Sequence, residues 1–187
     1  MLFDFRQKLL AKTTSKYDVL LDIGYAEIPN KYLTNKQVIG IDLHTIEKPS
    51  NYSKVIVGDA SNLADYFDAS SINAVCCGEL LEHLVNPIDF LKGCHNVLKP
   101  NGILALTTPN PHHFFEFVST IFLSKKFFYS PGHVCIYPQR WLIRMFEIAG
   151  FTDIKVMSGG LAIPFIGTIW FPRPIAEFTF VSAKAHK

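Results

Sequence analysis

The chain holds no C-x-x-C pair, no long apolar run, no marked excess of either charge and no internal repeat. Each absence closes a route. Its four cysteines, at positions 76, 77, 94 and 135, give no zinc or dithiol signature. Two of them are adjacent inside an apolar run, where thiols pack as small hydrophobes. No stretch reaches the ~18 uninterrupted apolar residues of a membrane-spanning helix. The opening MLFDFRQKLLAKTTSK lacks the apolar centre of a secretory leader, so a reduced, cytoplasmic protein is expected. With 18 basic and 16 acidic residues the formal charge is +2, too small to argue for nucleic acid as a partner.

What is present is an apolar, globular composition: 49% hydrophobic and 18% charged over 187 residues. That length suits one domain, 1–187, with a short N-terminal helix at 1–16. Strand-like runs occur at Val19–Ile23, Val38–Asp42, Lys54–Val57, Ile72–Cys77 and Gly102–Thr107. Several are apolar throughout, the mark of strands covered on both faces. Between the last two, Leu80, Leu81, Leu84, Ile88 and Leu91 recur at helical spacing and predict a helix from Glu79 to Leu91 or beyond. The Pro-Asn-Gly of "LKPNG" stops it. A later helix is predicted over Pro138–Ala149, with Gly150 as its C-terminal cap. Strands follow at Thr152–Met157 and Glu177–Ala183. The second alternates apolar and polar residues, as an antiparallel or edge strand does. The fold class predicted is α/β: a Rossmann-like, doubly wound, mostly parallel sheet.

Ligands of such sheets bind beyond the carboxyl ends of the strands. The polar residues gather there: Asp22 and Gly24 end the first strand, Asp42 the second, Asp59 follows the third, and Gly78 and Glu79 the fourth. A carboxylate closing the second strand suits the two hydroxyls of a ribose, and an Asp after the third can accept from the exocyclic amine of adenine. A single Asp in a turn is ordinarily a turn former; three acidic residues at successive strand ends form a pattern.

The series "VLLDIG…VIGIDLH…VIVGDASNL…INAVCCGELLEHLVNPIDFLKGCHNVLKPNGILALTTPNP" resembles the class I S-adenosylmethionine-dependent methyltransferases, in particular the group with E-x-x-E-H after the fourth strand. The likeness covers about residues 17–157. It implies a seven-stranded sheet with an antiparallel last strand, and S-adenosylmethionine as cofactor. Contacts to it are implied at Asp22, Gly24, Tyr25, Ala26, Asp42, Leu43, Asp59, Ala60, Gly78 and Glu79. The opening loop departs from the family's G-x-G-x-G: Gly24 is kept, but Ala26 and Ile28 replace the next two glycines. Ala26 is tolerable at negative φ; positive φ is costly for the β-branched Ile28. Pro29-Asn30 is read as opening the helix that follows.

The resemblance also bears on catalysis. Glu79, Glu82 and His83 stand at i, i+3 and i+4, on one face of the predicted helix. Related enzymes with this pattern hold a divalent metal there with a further histidine, for which His133 is the candidate. Glu79, Glu82, His83 and His133 are therefore the metal set. The open alternative is Glu82, His83 and His133 acting without metal, with a histidine as base. His112 and His113 follow the fifth strand; His44 borders the adenosine side. Acceptor recognition falls to insertions at about 111–137 and 158–176. The first is rich in Phe and carries Lys125 and Lys126; the second is nearly uncharged. Both suit core or lid packing, an apolar channel, a sugar-stacking surface, a membrane-surface contact or a homodimer face. The expected activity is O-methylation of a small molecule or a glycan or lipid-linked sugar precursor. Two rivals stay open: a pseudo-methyltransferase serving as a binding or scaffold subunit, and a nicotinamide enzyme.

Overall fold

The computed structural model describes residues 2–44, 46–114, 118, 121, 132–163, 167–170 and 176–187. The main sheet is built from β1 (Val19–Ile23), β2 (Gln37–Asp42), β3 (Lys54–Val57), β4 (Ile72–Gly78), β5 (Leu98–Pro109), β6 (Phe151–Ser158) and β9 (Phe178–Ala185), in the order β3-β2-β1-β4-β5-β9-β6. The first five strands pair in parallel. β9 runs antiparallel to both β5 and β6. The predicted seven-stranded sheet with one reversed strand is thus present. A separate antiparallel pair, β7 (Gly160–Ile163) and β8 (Gly167–Trp170), lies in the second insertion and was not read from the sequence.

Apolar runs form these strands because both sheet faces are covered. Along β1, Leu20 faces helix α1 (Leu2–Thr14) together with Ala74, Cys76, Ala105, Phe178 and Phe180. Its neighbours Leu21 and Ile23 face the other way. There they join Val75, Cys77, Leu104 and Leu106 against α2 (Pro87–Val97) and α3 (Gln139–Ile148). The period of two therefore sorts one continuous apolar run into two cores. β9 is antiparallel as expected but is no edge strand. It is buried on both faces, and the polar residues that gave it an alternating look, Thr179 and Ser182, are themselves buried. α3 ends where Gly150 takes φ +94°, the left-handed cap that glycine permits.

Three expectations are corrected. The helix predicted from Glu79 does not form. Glu79 has φ +52°, Leu81–His83 make a single 3-10 turn, and Leu84 is extended. α2 starts only at Pro87: proline disfavours helical geometry in the residue before it, here Asn86, and suits a first helical position itself. The helix-spaced leucines are buried by that turn instead; Leu81 is wholly inside. The connection from β1 to β2 also lacks the helix assigned after Pro29. There the Asn30 side chain accepts from the Tyr32 N–H at 3.0 Å. Asn35 caps the end of α1 by donating to the carbonyls of Thr14 and Tyr17. A local side-chain bond such as that of Asn30 competes with helix formation. The β3–β4 link carries a 3-10 stretch, Ala60–Asp65, so the strand–helix alternation is less regular than predicted.

Candidate functional site: a cleft at the carboxyl ends of the strands

A cleft of about 730 Å³ opens beyond β1, β2 and β4, with α1 along one wall. Every predicted cofactor contact lines it: Asp22, Gly24, Tyr25, Ala26, Asp42, Leu43, Asp59, Ala60, Gly78 and Glu79. Its size suits a drug-sized ligand.

The loop after β1 makes its turn at Gly24. There φ is +75°, and the Gly24 N–H donates to the Ile41 carbonyl at 2.9 Å. Outside glycine, positive φ occurs among the described residues at Ser70, Glu79, Asn101 and Asp153, and so at neither Ala26 nor Ile28. The two replaced glycines therefore sit in backbone that side chains tolerate. The rest of the loop is pinned: Gln7 Nε2 donates to the carbonyls of Ile28 at 3.0 Å and Pro29 at 3.1 Å. Ile28 stays 44% exposed, so it walls the cleft without plugging it. Tyr25 is a core residue at the cleft's edge. It is 2% exposed, and its ring lies so flat on Gly40 that a β-carbon there would come within 2.7 Å.

Asp42 is the connecting carboxylate. Oδ2 accepts the Ala26 N–H at 3.0 Å and Oδ1 accepts the His44 N–H at 2.8 Å. Oδ1 also lies 3.4 Å from His44 Nδ1, while Oδ2 keeps a further lone pair for a ligand hydroxyl. Asp59 accepts the Ser61 N–H at 2.8 Å and so caps the 3-10 stretch. Leu43 is 65% exposed beside it. Asp22 differs from its neighbours: it is 6% exposed, and its oxygens take the Tyr52 hydroxyl and, at 3.2 Å, the Cys76 thiol. Burial raises its pKa to about 6. Tyr52 in turn accepts the Asn30 N–H at 3.1 Å, so Asp22 braces the loop from beneath.

A second cluster adjoins the first through His83, which also lines the cleft. Potential ligand atoms of Glu82, His83 and His133 lie within 4.8 Å of one another. Glu82 is fully buried. Its Oε2 accepts from Thr108 Oγ1 at 3.0 Å, while Oε1 is buried with no hydrogen-bond partner. Burial, and next the charge of Glu79, push its pKa up to about 8. The Glu82 carbonyl accepts the Val134 N–H at 2.7 Å, tying in the loop that carries His133. His83 Nδ1 is 2.7 Å from the Gly132 carbonyl, an acceptor, so that nitrogen carries the proton and Nε2 presents its lone pair. The rings of His83 and His133 meet edge to face, 4.8 Å between centroids.

Glu79 stands outside this group. Left-handed at φ +52°, it leaves the face expected to hold it with Glu82 and His83, and its Oε2 pairs with Arg6 Nη1 at 2.8 Å. His112 and His113 donate backbone N–H groups to Asn110 and are likewise outside the cluster. Lys125, Lys126 and most of the aromatic stretch at 112–133 lie outside the described residues, as do 164–166 and 171–175. Arg6 was missed by sequence reasoning. No motif surrounds it; only the docking of α1 along the cleft brings it there.

A seven-stranded sheet whose last strand, β9, is reversed and inserted between β5 and β6, with a cleft over its first four strands, defines the class I methyltransferase fold. The chain matches the family described as "Methyltransferase domain" over residues 2–156, most of its length, and belongs to that family of S-adenosylmethionine-dependent enzymes. It is similar to a SAM-dependent methyltransferase from Archaeoglobus fulgidus: TM-score 0.68, 17% identity, 96% of each chain covered. It is also similar to a SAM-dependent methyltransferase from Thermotoga maritima, described as a possible histamine N-methyltransferase: TM-score 0.69, 15% identity, covering 98% of this chain and 89% of that one. At such identities the likeness is one of fold. In sequence, 60 residues (32% of the chain) are 30% identical to the ubiquinone biosynthesis O-methyltransferase of Histophilus somni. The match spans 25% of that relative's length. Among the described residues no helix is long and apolar enough to cross a membrane.

Proposed function

We propose that the protein transfers a methyl group from S-adenosylmethionine to an oxygen of a small molecule or of a glycan or lipid-linked sugar precursor. The observation that carries the reading is the cleft itself, with Gly24, Asp42 and Asp59 at three successive strand ends around a space not filled by Ile28. When bound, S-adenosylmethionine supplies a methyl group already activated on a sulfonium, so the protein contributes mainly alignment. Asp42 accepts the ribose hydroxyls and Asp59 faces the adenine side. The backbone of Gly24 and Gly78, without side chains, leaves room at the sulfonium end.

Oxygen acceptors must lose a proton, and the second cluster suits that task. His83, with Nδ1 committed to the Gly132 carbonyl, presents Nε2 as the base at the cleft edge. Partial homology to O-methyltransferases agrees with this choice of atom. The same residues fit a divalent cation. Two imidazoles and a buried carboxylate with an orphaned oxygen make a two-histidine, one-carboxylate donor set. Glu82, His83 and His133 are the ligands in this reading, and a cation there makes an acceptor hydroxyl more acidic. Glu79 is not among them. The apolar residues near the cluster, with Val85 80% and Val134 59% exposed, suit an acceptor with an apolar body.

Calorimetry tests the donor site. Heat of binding with S-adenosylmethionine and with its demethylated product is expected. No heat and no thermal shift with either at millimolar concentration would overturn the proposal in favour of a scaffold role.

A further inference from the structure

We infer that Gly132 is a positioning residue for His83: the loop Gly132–Cys135 fixes how the imidazole faces the acceptor, and it can do so because residue 132 has no side chain. The inference rests on the reading of His83 as the acceptor's base proposed above, and it deepens that reading by assigning what sets the ring's orientation. His83 is exposed and sits at the end of a single 3-10 turn. A ring on so short and open an element is oriented by the groups it touches, and the bond at one nitrogen decides what the other can do.

Three bonds lace the loop to that turn. The Glu82 carbonyl accepts the N–H of Val134 at 2.7 Å and that of Cys135 at 3.3 Å, and the Gly132 carbonyl accepts from His83 Nδ1 at 2.7 Å. The first two place the loop; the third uses that placement to orient the ring. Gly132 lies in ordinary backbone, since positive φ among the described glycines belongs to Gly24 and Gly150. Its requirement is therefore spatial. A β-carbon at 132 would stand 3.0 Å from His83 Nδ1 and 3.1 Å from its Cε1, inside the roughly 3.5–4.0 Å of an ordinary carbon contact. Any larger residue pushes the imidazole off the carbonyl and alters its edge-to-face contact with His133.

The consequence reaches the acceptor. With the proton held on Nδ1, Nε2 keeps the lone pair that takes the proton of an acceptor hydroxyl. The bond to Gly132 then joins an imidazolium to a carbonyl, and charge-assisted hydrogen bonds are the stronger kind. The same tautomer serves a divalent cation in the cluster, to which Nε2 is then the ligand atom. Gly132 also falls within the insertion at about 111–137 to which acceptor recognition is assigned. One stretch of chain thus carries acceptor recognition and the carbonyl that orients the base.

The test is nuclear magnetic resonance on the full chain with heavy nitrogen in its histidines, in the presence of EDTA and at a pH where imidazoles are neutral. Long-range proton–nitrogen correlations read the tautomer, and the signals lost in His83→Gln assign it. Wild type is expected to hold His83 mainly in the Nδ1–H form. Gly132→Ala is expected to lower the ratio of Nδ1–H to Nε2–H by about five- to tenfold, the worth of one hydrogen bond. The same variant should bind the demethylated donor within about threefold of wild type. An unchanged ratio overturns the inference, as does a wild type in which His83 is mainly Nε2–H. Loss of the ratio and of donor binding together in Gly132→Ala marks general disruption and overturns it too. In wild type, exchange of the Val134 amide proton should be about tenfold or more slower than in an unstructured chain. An unprotected amide there overturns the inference even if Gly132→Ala does not fold. Donor binding by wild type is measured separately by its heat, so none of these results removes the donor site.

Discussion

Replacing Asp22 by Asn is expected to change how stability depends on pH. The carboxylate is buried, and its pKa rises from 3.8 to about 6 because burial penalises its charge more than the Tyr52 hydroxyl and the Cys76 thiol compensate. The sign is opposite to that of a salt-bridged aspartate. The folded state holds a proton that the unfolded chain releases, so this group's stabilising contribution is complete below about pH 4. It is lost as pH rises towards 6. The shift corresponds to about 3 kcal/mol. The amide introduced by Asp22→Asn mimics the protonated acid, so the stability of this variant relative to wild type should climb by about that amount between pH 4 and pH 7, then level off. For a chain of this length that is a relative gain of about 6–12 °C in Tm. Urea unfolding of both proteins at half-unit intervals from pH 4 to pH 8 measures it, and taking the difference cancels the other carboxylates. Parallel curves for the two proteins would refute the reasoning and show that Asp22 is ionised in the folded state throughout.

Other outcomes follow from the same geometry. Gly24→Ala puts a side chain at φ +75° and should cost about 1–2 kcal/mol, read by urea unfolding. The added β-carbon would meet Leu80 Cδ1 only at 3.8 Å, so the cost is conformational and not a clash; an unchanged midpoint would count against it. If the second cluster holds a cation, Mn²⁺ binding followed by paramagnetic resonance should disappear in Glu82→Ala while the heat of binding the demethylated donor is preserved. Equal Mn²⁺ binding in both proteins eliminates that cation site.

Much of this was legible because burial writes itself into apolar runs. Val19–Ile23 and Lys54–Val57 are strands with the limits read from the sequence, and the rim residues of the cleft follow from where those strands end. The approach of His133 to Glu82 and His83 was also anticipated, though only through family likeness. The segment from Glu79 to Asn86 was misread because leucines at helical spacing can equally be buried by a 3-10 turn, and Pro87 marked the true start. A left-handed glutamate leaves no trace in composition. Pro29 followed by Asn30 carried a helix-start signal, yet Asn30 and Asn35 spend their side chains on turns and on the end of α1. Arg6 acquires its meaning only from the packing of α1 over the cleft, a long-range contact with no local signature.

The insertion of β9 between β5 and β6 has a consequence for synthesis. Both of its neighbours leave the ribosome earlier, and neither pairs with the other. Until Phe178–Ala185 emerges, each displays an open row of amide and carbonyl groups, the kind of edge that invites pairing with a foreign strand. Closure by the latest strand thus makes the nascent chain most vulnerable to aggregation just before completion of the sheet.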